Sequence, residues 1–82
     1  MTYETIVETI RQILVERGDT PPQVMPDTPI LETGLDSLDV ATLVVRLEQR
    51  FGFDPFADAT LQEYPRTMRD WSELYGKNGS VA

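Results

Sequence analysis

The sequence predicts a small all-α protein, a four-helix bundle with a long first loop and a short third helix. Apolar residues recur at helical spacing in three segments, residues 3–17, 37–51 and 68–75. All six prolines lie between those segments, where they exclude a continuous helix. A chain of 82 residues is long enough for one domain with a modest core. We therefore expect a single domain over residues 1–82, ordered from about residue 3 to residue 75.

The first predicted helix covers residues 3–17, with Thr2 available as its N-cap and Gly18 as its C-terminal stop. Winding the segment at about 100° per residue places its apolar side chains on one face. That face comprises Tyr3, Ile6, Val7, Ile10, Ile13 and Leu14. We expect it to lie in the core.

A proline-rich loop is predicted over residues 18–36. Four prolines in this segment, together with Asp and Thr residues, are incompatible with a long helix. We expect Ile30 and Leu31 to anchor the loop to the core. A structureless loop of about 19 residues is long for a compact domain, and such loops are usually functional or disordered. This one leads directly to Ser37.

The second predicted helix covers residues 37–51 and ends at Gly52. Its core-facing stripe comprises Val40, Leu43, Val44, Leu47 and Phe51. A flank on the same side as Ser37 comprises Leu38, Ala41, Val45 and Glu48. The opposite face, which we expect to be solvated, comprises Asp39, Thr42, Arg46, Gln49 and Arg50. The flank beside Ser37 is therefore a candidate contact surface for another protein.

The segment after Gly52 is predicted to contain a loop and a short third helix. Pro55 excludes a continuous helix over residues 53–58. A short helical turn is expected over residues 61–64, and Pro65 ends it.

The last predicted helix covers residues 68–75. Thr67 is followed three residues later by Asp70, which resembles a capping box at its start. Its apolar stripe, to which we assign a core role and no chemistry, comprises Met68, Trp71, Leu74 and Tyr75. We expect Gly76 to end the helix and residues 77–82 to form a flexible tail.

The composition disfavours several classes of function. Fourteen acidic and seven basic residues give a net charge of −7, which argues against a nucleic-acid partner. No signal peptide or apolar run of about 20 residues is visible, so we expect no membrane partner. The absence of Cys is compatible with a reducing cytoplasm. We therefore expect a cytoplasmic monomer.

Residues 34–39, Gly-Leu-Asp-Ser-Leu-Asp, set one serine where an acidic loop becomes an amphipathic helix. The chain has no His or Cys, so no Ser-His pair is available and an enzyme is disfavoured. Asp36 and Asp39 alone do not make a metal site, since a hard cation needs about six oxygens. The serine therefore looks like a residue on which another enzyme acts.

With its helical layout and Gly-Leu-Asp-Ser-Leu segment, the chain resembles the acyl carrier proteins from about residue 3 to residue 75. The resemblance implies a four-helix bundle of acyl-carrier type with 4′-phosphopantetheine attached through Ser37. It also implies a phosphopantetheinyl transferase that uses coenzyme A and Mg²⁺. A positive helix N-terminus tolerates such a phosphodiester. The arm's thiol would hold an acyl or aminoacyl group as a thioester.

By the same resemblance, the partners are a loading enzyme and a downstream acyltransferase, ketosynthase or similar enzyme. The expected contact residues are Asp36, Leu38, Asp39, Ala41, Val45 and Glu48. Ordinary solvated charges are the alternative for the acids, and a wide core stripe is the alternative for Leu38, Ala41 and Val45. Arg46 and Arg50 depart from the most acidic members of the family, which favours a specialised polyketide or fatty-acid-like pathway.

Two further alternatives stay open. Leu35-Asp36 precedes the serine at the place where peptidyl carriers frequently have Gly-Gly-His, and this difference favours acyl cargo. The second interpretation is an aminoacyl or peptidyl carrier of a nonribosomal-peptide-type pathway. The third is a small helical interaction module with Ser37 as helix cap or phosphorylation site. We expect a freestanding protein, and an excised domain is the alternative.

Overall fold

The structure, a computed structural model, describes the backbone of residues 2–57 and 64–79 and the side chains of residues 2–56 and 64–76. The three α-helices in these ranges are α1 (Thr2–Glu16), α2 (Ser37–Phe51) and α3 (Met68–Gly79). Two 3₁₀ turns, Ile30–Glu32 and Pro55–Ala57, lie between them. The all-α prediction is confirmed. The short helix expected over residues 61–64 lies almost wholly outside the described residues.

The core is built where α1 packs against both α2 and α3. Its buried apolar residues are Ile6, Ile10, Ile13, Leu14, Ile30, Leu35, Val40, Leu43, Leu47, Met68, Trp71 and Tyr75. The faces predicted from helical spacing are therefore the faces that are buried. None of the helices in the described residues is long and apolar enough to cross a membrane.

The C-terminal end of α1 confirms Gly18 as its stop. Gly18 has φ +85°, a left-handed conformation that glycine adopts without a steric penalty. The Asp19 N–H donates to the Leu14 carbonyl at 2.9 Å, and the Gly18 N–H donates to the Val15 carbonyl at 3.0 Å. These two bonds form a Schellman motif, which satisfies carbonyls left open at the helix end.

The loop before α2 is more ordered than its composition indicates. Ile30 is buried, as expected, but Leu31 is 61% exposed and does not anchor the loop. Consecutive residues of a 3₁₀ turn point about 120° apart, so only one of the pair can face the core. Leu35 supplies the second anchor, and the Thr33 hydroxyl is buried and donates to the Ile30 carbonyl at 2.6 Å.

The same loop is hydrogen-bonded to the start of α3. The Ile30 N–H donates to the Arg66 carbonyl at 2.7 Å. In return, the Met68 N–H donates to the Thr28 carbonyl and the Arg69 N–H to the Pro26 carbonyl. Loop carbonyls therefore satisfy N–H groups that a helix N-terminus leaves without intrahelical partners.

The predicted capping box of α3 is confirmed, but the predicted end of this helix is wrong. The Asp70 N–H donates to the Thr67 hydroxyl at 3.1 Å, and the Thr67 N–H donates back to the Asp70 carboxylate at 3.2 Å. The helix continues through Gly76 to Gly79. A Cβ at position 76 would lie in ordinary van der Waals contact with Thr2, 3.6 Å from its hydroxyl oxygen, so α3 packs against the start of α1 at this glycine.

Aromatic rings fill the core where α2, α3 and the second 3₁₀ turn meet. The ring centroids of Phe51 and Tyr75 are 5.3 Å apart, and those of Phe56 and Trp71 are 5.2 Å apart. The buried Tyr75 hydroxyl has no hydrogen-bond partner among the described residues. Burial raises the pKa of Tyr75, and the nearby negative charge of Asp54 adds to the rise.

Candidate functional site

Ser37 is the first residue of α2, and its side chain is exposed. The three residues before it fix its position. Gly34 has φ +103°, a conformation that favours glycine, and a Cβ at this position would lie 3.3 Å from a Leu14 methyl carbon, which would have to shift. Leu35 is buried in the core. Asp36 is the N-cap of α2. The backbone therefore presents the Ser37 hydroxyl to solvent from a well-supported turn.

A capping box closes the start of α2. The Asp39 N–H donates to the Asp36 carboxylate at 2.9 Å, and the Asp36 N–H donates to the Asp39 carboxylate at 3.1 Å. The bond from the Asp39 N–H holds the pKa of Asp36 below its ordinary value, and the charge of Arg17 contributes further. Asp36 therefore remains ionised, and exposed, beside the serine.

Arg17 connects the end of α1 to this turn. Its guanidinium donates to the Asp39 carboxylate and, at 3.4 Å, to the Gly34 carbonyl. It also lies 3.3 Å from the Asp19 carboxylate. The Asp39 side chain is only 16% exposed as a result. Asp39, predicted to contact partner proteins, thus has its carboxylate engaged within the protein.

The flank of α2 beside Ser37 is open to solvent. Leu38 is 79% exposed and Val45 is 55% exposed, while Ala41 and Glu48 are also exposed. Leu38 and Val45 are seven residues apart, so these two apolar side chains lie on the same face of the helix. The structure therefore brings four of the predicted contact residues together with Ser37 on one surface.

The opposite face of α2, predicted to be solvated, is instead partly engaged with α1. Arg46 donates two hydrogen bonds to the Glu16 carboxylate, at 2.9 and 2.6 Å, and these bonds lower the pKa of Glu16. Arg50 donates to the Gln12 side-chain oxygen at 2.6 Å. The prediction missed these contacts because helical spacing within one segment does not indicate which neighbouring helix its polar residues reach.

A cleft of about 520 Å³ opens beside Ser37. It is mostly apolar, with one acidic and one basic residue among those that line it. The lining residues are Pro29, Ile30, Leu31, Glu32, Ser37, Val40, Tyr64, Pro65 and Arg66. Sequence reasoning missed this cleft because its walls come from three distant segments. The adjacent apolar pair of Ile30 and Leu31 was the one available signal.

The chemistry that these residues can perform is limited. The chain contains no His or Cys, and the described residues include no group of three or more side chains that could hold a metal ion. The charged side chains at the start of α2 are already engaged, because the Asp36 carboxylate accepts from the Asp39 N–H and the Asp39 carboxylate is paired with Arg17. Ser37 is therefore arranged as an accessible hydroxyl that can receive a group.

Comparison with known proteins identifies the family. The profile of the phosphopantetheine attachment site family matches residues 5–73. A solution structure of MacpD, an acyl carrier protein from Pseudomonas fluorescens involved in mupirocin biosynthesis, superposes with a TM-score of 0.82. The two sequences are 35% identical over 94% of this chain and 69% of that one. No curated protein sequence matches the chain.

The chain belongs to the phosphopantetheine attachment site family, and its fold is that of an acyl carrier protein. Members of this family are carriers and not enzymes, and a phosphopantetheinyl transferase modifies them. Their prosthetic group is 4′-phosphopantetheine. They interact with this transferase and with biosynthetic enzymes.

Proposed function

We propose that this protein carries acyl intermediates as thioesters on a 4′-phosphopantetheine arm attached to Ser37. The observation that supports this assignment most strongly is the exposed hydroxyl at the first position of α2, held by Gly34, Leu35 and the capping box. A modifying enzyme can reach this hydroxyl without unfolding the chain.

The surroundings of Ser37 fit the group. The attached phosphodiester would sit at the positive end of the α2 dipole, where an anion is tolerated. The adjacent cleft offers an apolar wall to the rest of the arm. When bound, the arm supplies a terminal thiol that holds the acyl group as a thioester. Tethering then raises the effective concentration of the cargo at each partner's active site.

The proposed partner surface is the exposed flank of α2. Leu38, Ala41 and Val45 provide apolar area beside the attachment point, and Asp36 and Glu48 provide negative charge. Enzymes with basic residues around the active-site entrance would be attracted by that charge. We propose a loading enzyme and a downstream acyltransferase or ketosynthase as such partners. Asp39 would contribute less to this attraction, because its carboxylate is paired with Arg17.

The pathway we propose is a specialised polyketide or fatty-acid-like one. Two observations support it. The similar protein MacpD is an acyl carrier protein involved in mupirocin biosynthesis. Arg46 and Arg50 also make α2 less acidic, and both are used to contact α1.

The test is the intact mass of the protein after incubation with coenzyme A, Mg²⁺ and a broad-specificity phosphopantetheinyl transferase. We expect the wild type and Ser72→Ala to gain one phosphopantetheine and Ser37→Ala to gain none. Ser72 lies in α3 and serves as the matched control. If the wild type gained nothing while a known carrier was modified in parallel, the helical interaction module would be the better interpretation.

A further inference from the structure

Arg66 differs from the other arginines of the described residues in having no side-chain partner there. Three arginines are paired with carboxylates within 3.3 Å, namely Arg17, Arg46 and Arg69. Arg11 lies 3.9 Å from Glu8, and Arg50 donates to Gln12. The Arg66 guanidinium makes no hydrogen bond or ion pair with any residue that the structure describes.

The backbone of Arg66 is nevertheless firmly held. Its carbonyl accepts from the Ile30 N–H at 2.7 Å, and its N–H donates to the Asp70 carboxylate at 3.1 Å. The loop before α2 and the capping box of α3 thus fix the Cα position, while the side chain is exposed. Arg66 also lines the cleft that Ser37 lines. Arg66 therefore lines the cleft beside Ser37 from a fixed backbone, and its exposed side chain has no partner among the described residues.

A phosphodiester on Ser37 would lie among negative charges. A phosphodiester on Ser37 adds a negative charge next to the exposed Asp36, and Glu32 lines the same cleft. Arg17 is already engaged with Asp19, Asp39 and the Gly34 carbonyl. Arg66 is the basic residue among those described as lining the cleft. A guanidinium can donate two parallel hydrogen bonds to two phosphate oxygens.

We propose that Arg66 is the residue that binds the phosphodiester of the arm on Ser37 and directs the first part of the arm into the cleft. This inference rests on the proposed attachment at Ser37. Arg66 is a positioning residue, since it holds the arm and takes no part in the thioester chemistry. The unmodified protein keeps Arg66 exposed, and modification gives it a partner.

Nuclear magnetic resonance of the whole protein in its unmodified and modified forms tests the proposal. The readouts are the ³¹P signal of the phosphodiester and the Nε–Hε signals of the arginines. The variants are Arg66→Gln, Arg66→Lys and, as a control, Arg69→Gln, which removes the same charge from the same region but breaks the pair with Asp27. Backbone amide spectra of each unmodified variant check that it is folded.

We expect modification to shift the Arg66 Nε–Hε signal and leave that of Arg69 in place. The ³¹P signal should move in Arg66→Gln, move less in Arg66→Lys and stay unchanged in Arg69→Gln. Arg66→Gln should also lower the folding equilibrium constant, and the factor should be about twofold to fivefold larger in the modified protein than in the unmodified one, as expected for the loss of an exposed ion pair. That difference should shrink with added salt.

The outcomes separate the two proposals. If Ser37 is modified to completion by mass but Arg66→Gln and Arg69→Gln give the same ³¹P signal, and the Arg66 signal does not move, the Arg66 inference is wrong and the carrier function stands. If no modified protein forms, the proposed function fails, and the Arg66 inference fails with it.

Discussion

The first turns of α2 and α3 are both stabilised by a capping box, but the two helix starts differ in what surrounds them. Each helix begins with a capping box, Asp36 with Asp39 and Thr67 with Asp70. At α3, loop carbonyls cover the first N–H groups, and the first residue, Met68, is fully buried. At α2, the first residue is Ser37, and its side chain is exposed.

This difference shows that a capped helix start presents its first side chain to other molecules only where the surrounding residues leave that side chain uncovered. The α3 start is part of the packing between the loop and the core. The α2 start is stabilised from one side by Arg17 and leaves the other side open to the cleft. The predictions below test this contrast, beginning with the largest expected effect.

Replacing Gly34 should disrupt the α2 start more than any other change there. Gly34→Ala would place a Cβ 3.3 Å from Leu14 in a left-handed conformation, and we expect it to lower the free energy of unfolding by about 2 to 3 kcal/mol. Gly52→Ala is the matched control, because Gly52 has φ +85° but no neighbour within 4 Å. It should cost about 1 kcal/mol. Urea unfolding measures both, and equal losses would contradict a close-packed turn.

Removing the most exposed apolar side chain beside Ser37 should impair recognition of the protein by the phosphopantetheinyl transferase. We expect Leu38→Ala to lower kcat/KM for modification by the transferase about tenfold, as for an interface residue worth about 1.4 kcal/mol. Val15→Ala, which truncates a 58% exposed residue of α1, should leave the rate unchanged. Equal rates for the two variants would rule out the proposed surface.

The α3 cap should affect stability alone. We expect Thr67→Ala to lower the free energy of unfolding by about 1 kcal/mol, because the Asp70 N–H loses its acceptor. The rate at which Ser37 is modified should not change under conditions where the variant is folded. Asp36→Ala should lower both stability and the modification rate. A slower modification of Thr67→Ala would mean that the two helix starts are coupled.

Acid should weaken both capping boxes by a small amount. Hydrogen bonds from backbone N–H groups lower the pKa of Asp36 and of Asp70 in the folded protein. A lowered folded-state pKa contributes stability above the unfolded value of about 3.9, and that contribution is lost as the pH falls through the folded-state pKa. The Tm should therefore fall less steeply with decreasing pH below about pH 4 in Asp36→Asn and in Asp70→Asn than in the wild type. Curves parallel to the wild type would contradict these pKa shifts.

Features that depend on the local sequence pattern could be predicted from the sequence alone. The apolar faces of the three described helices, the stop at Gly18 and the capping box at Thr67 follow from spacing and from the conformational freedom of glycine. The motif around Ser37 also predicted an exposed hydroxyl at a helix start, and the side chain is exposed there.

Features that depend on distant contacts could not be predicted in this way. Ile30 and Leu31 are both apolar, and only the direction of the 3₁₀ turn decides which one is buried. The engagement of Asp39 by Arg17 joins residues 22 positions apart. Arg66 meets the cleft only because the loop before α2 is hydrogen-bonded to the start of α3.

The most direct measurement is tandem mass spectrometry of tryptic peptides from the modified protein. Because no Lys or Arg lies between Arg17 and Arg46, trypsin should release residues 18–46 as one peptide whose only serine is Ser37. We predict phosphopantetheine on this peptide and none on residues 70–77, which contain Ser72. Phosphopantetheine on Ser72, or its absence from both peptides after complete digestion, would contradict the assignment of Ser37 as the attachment site.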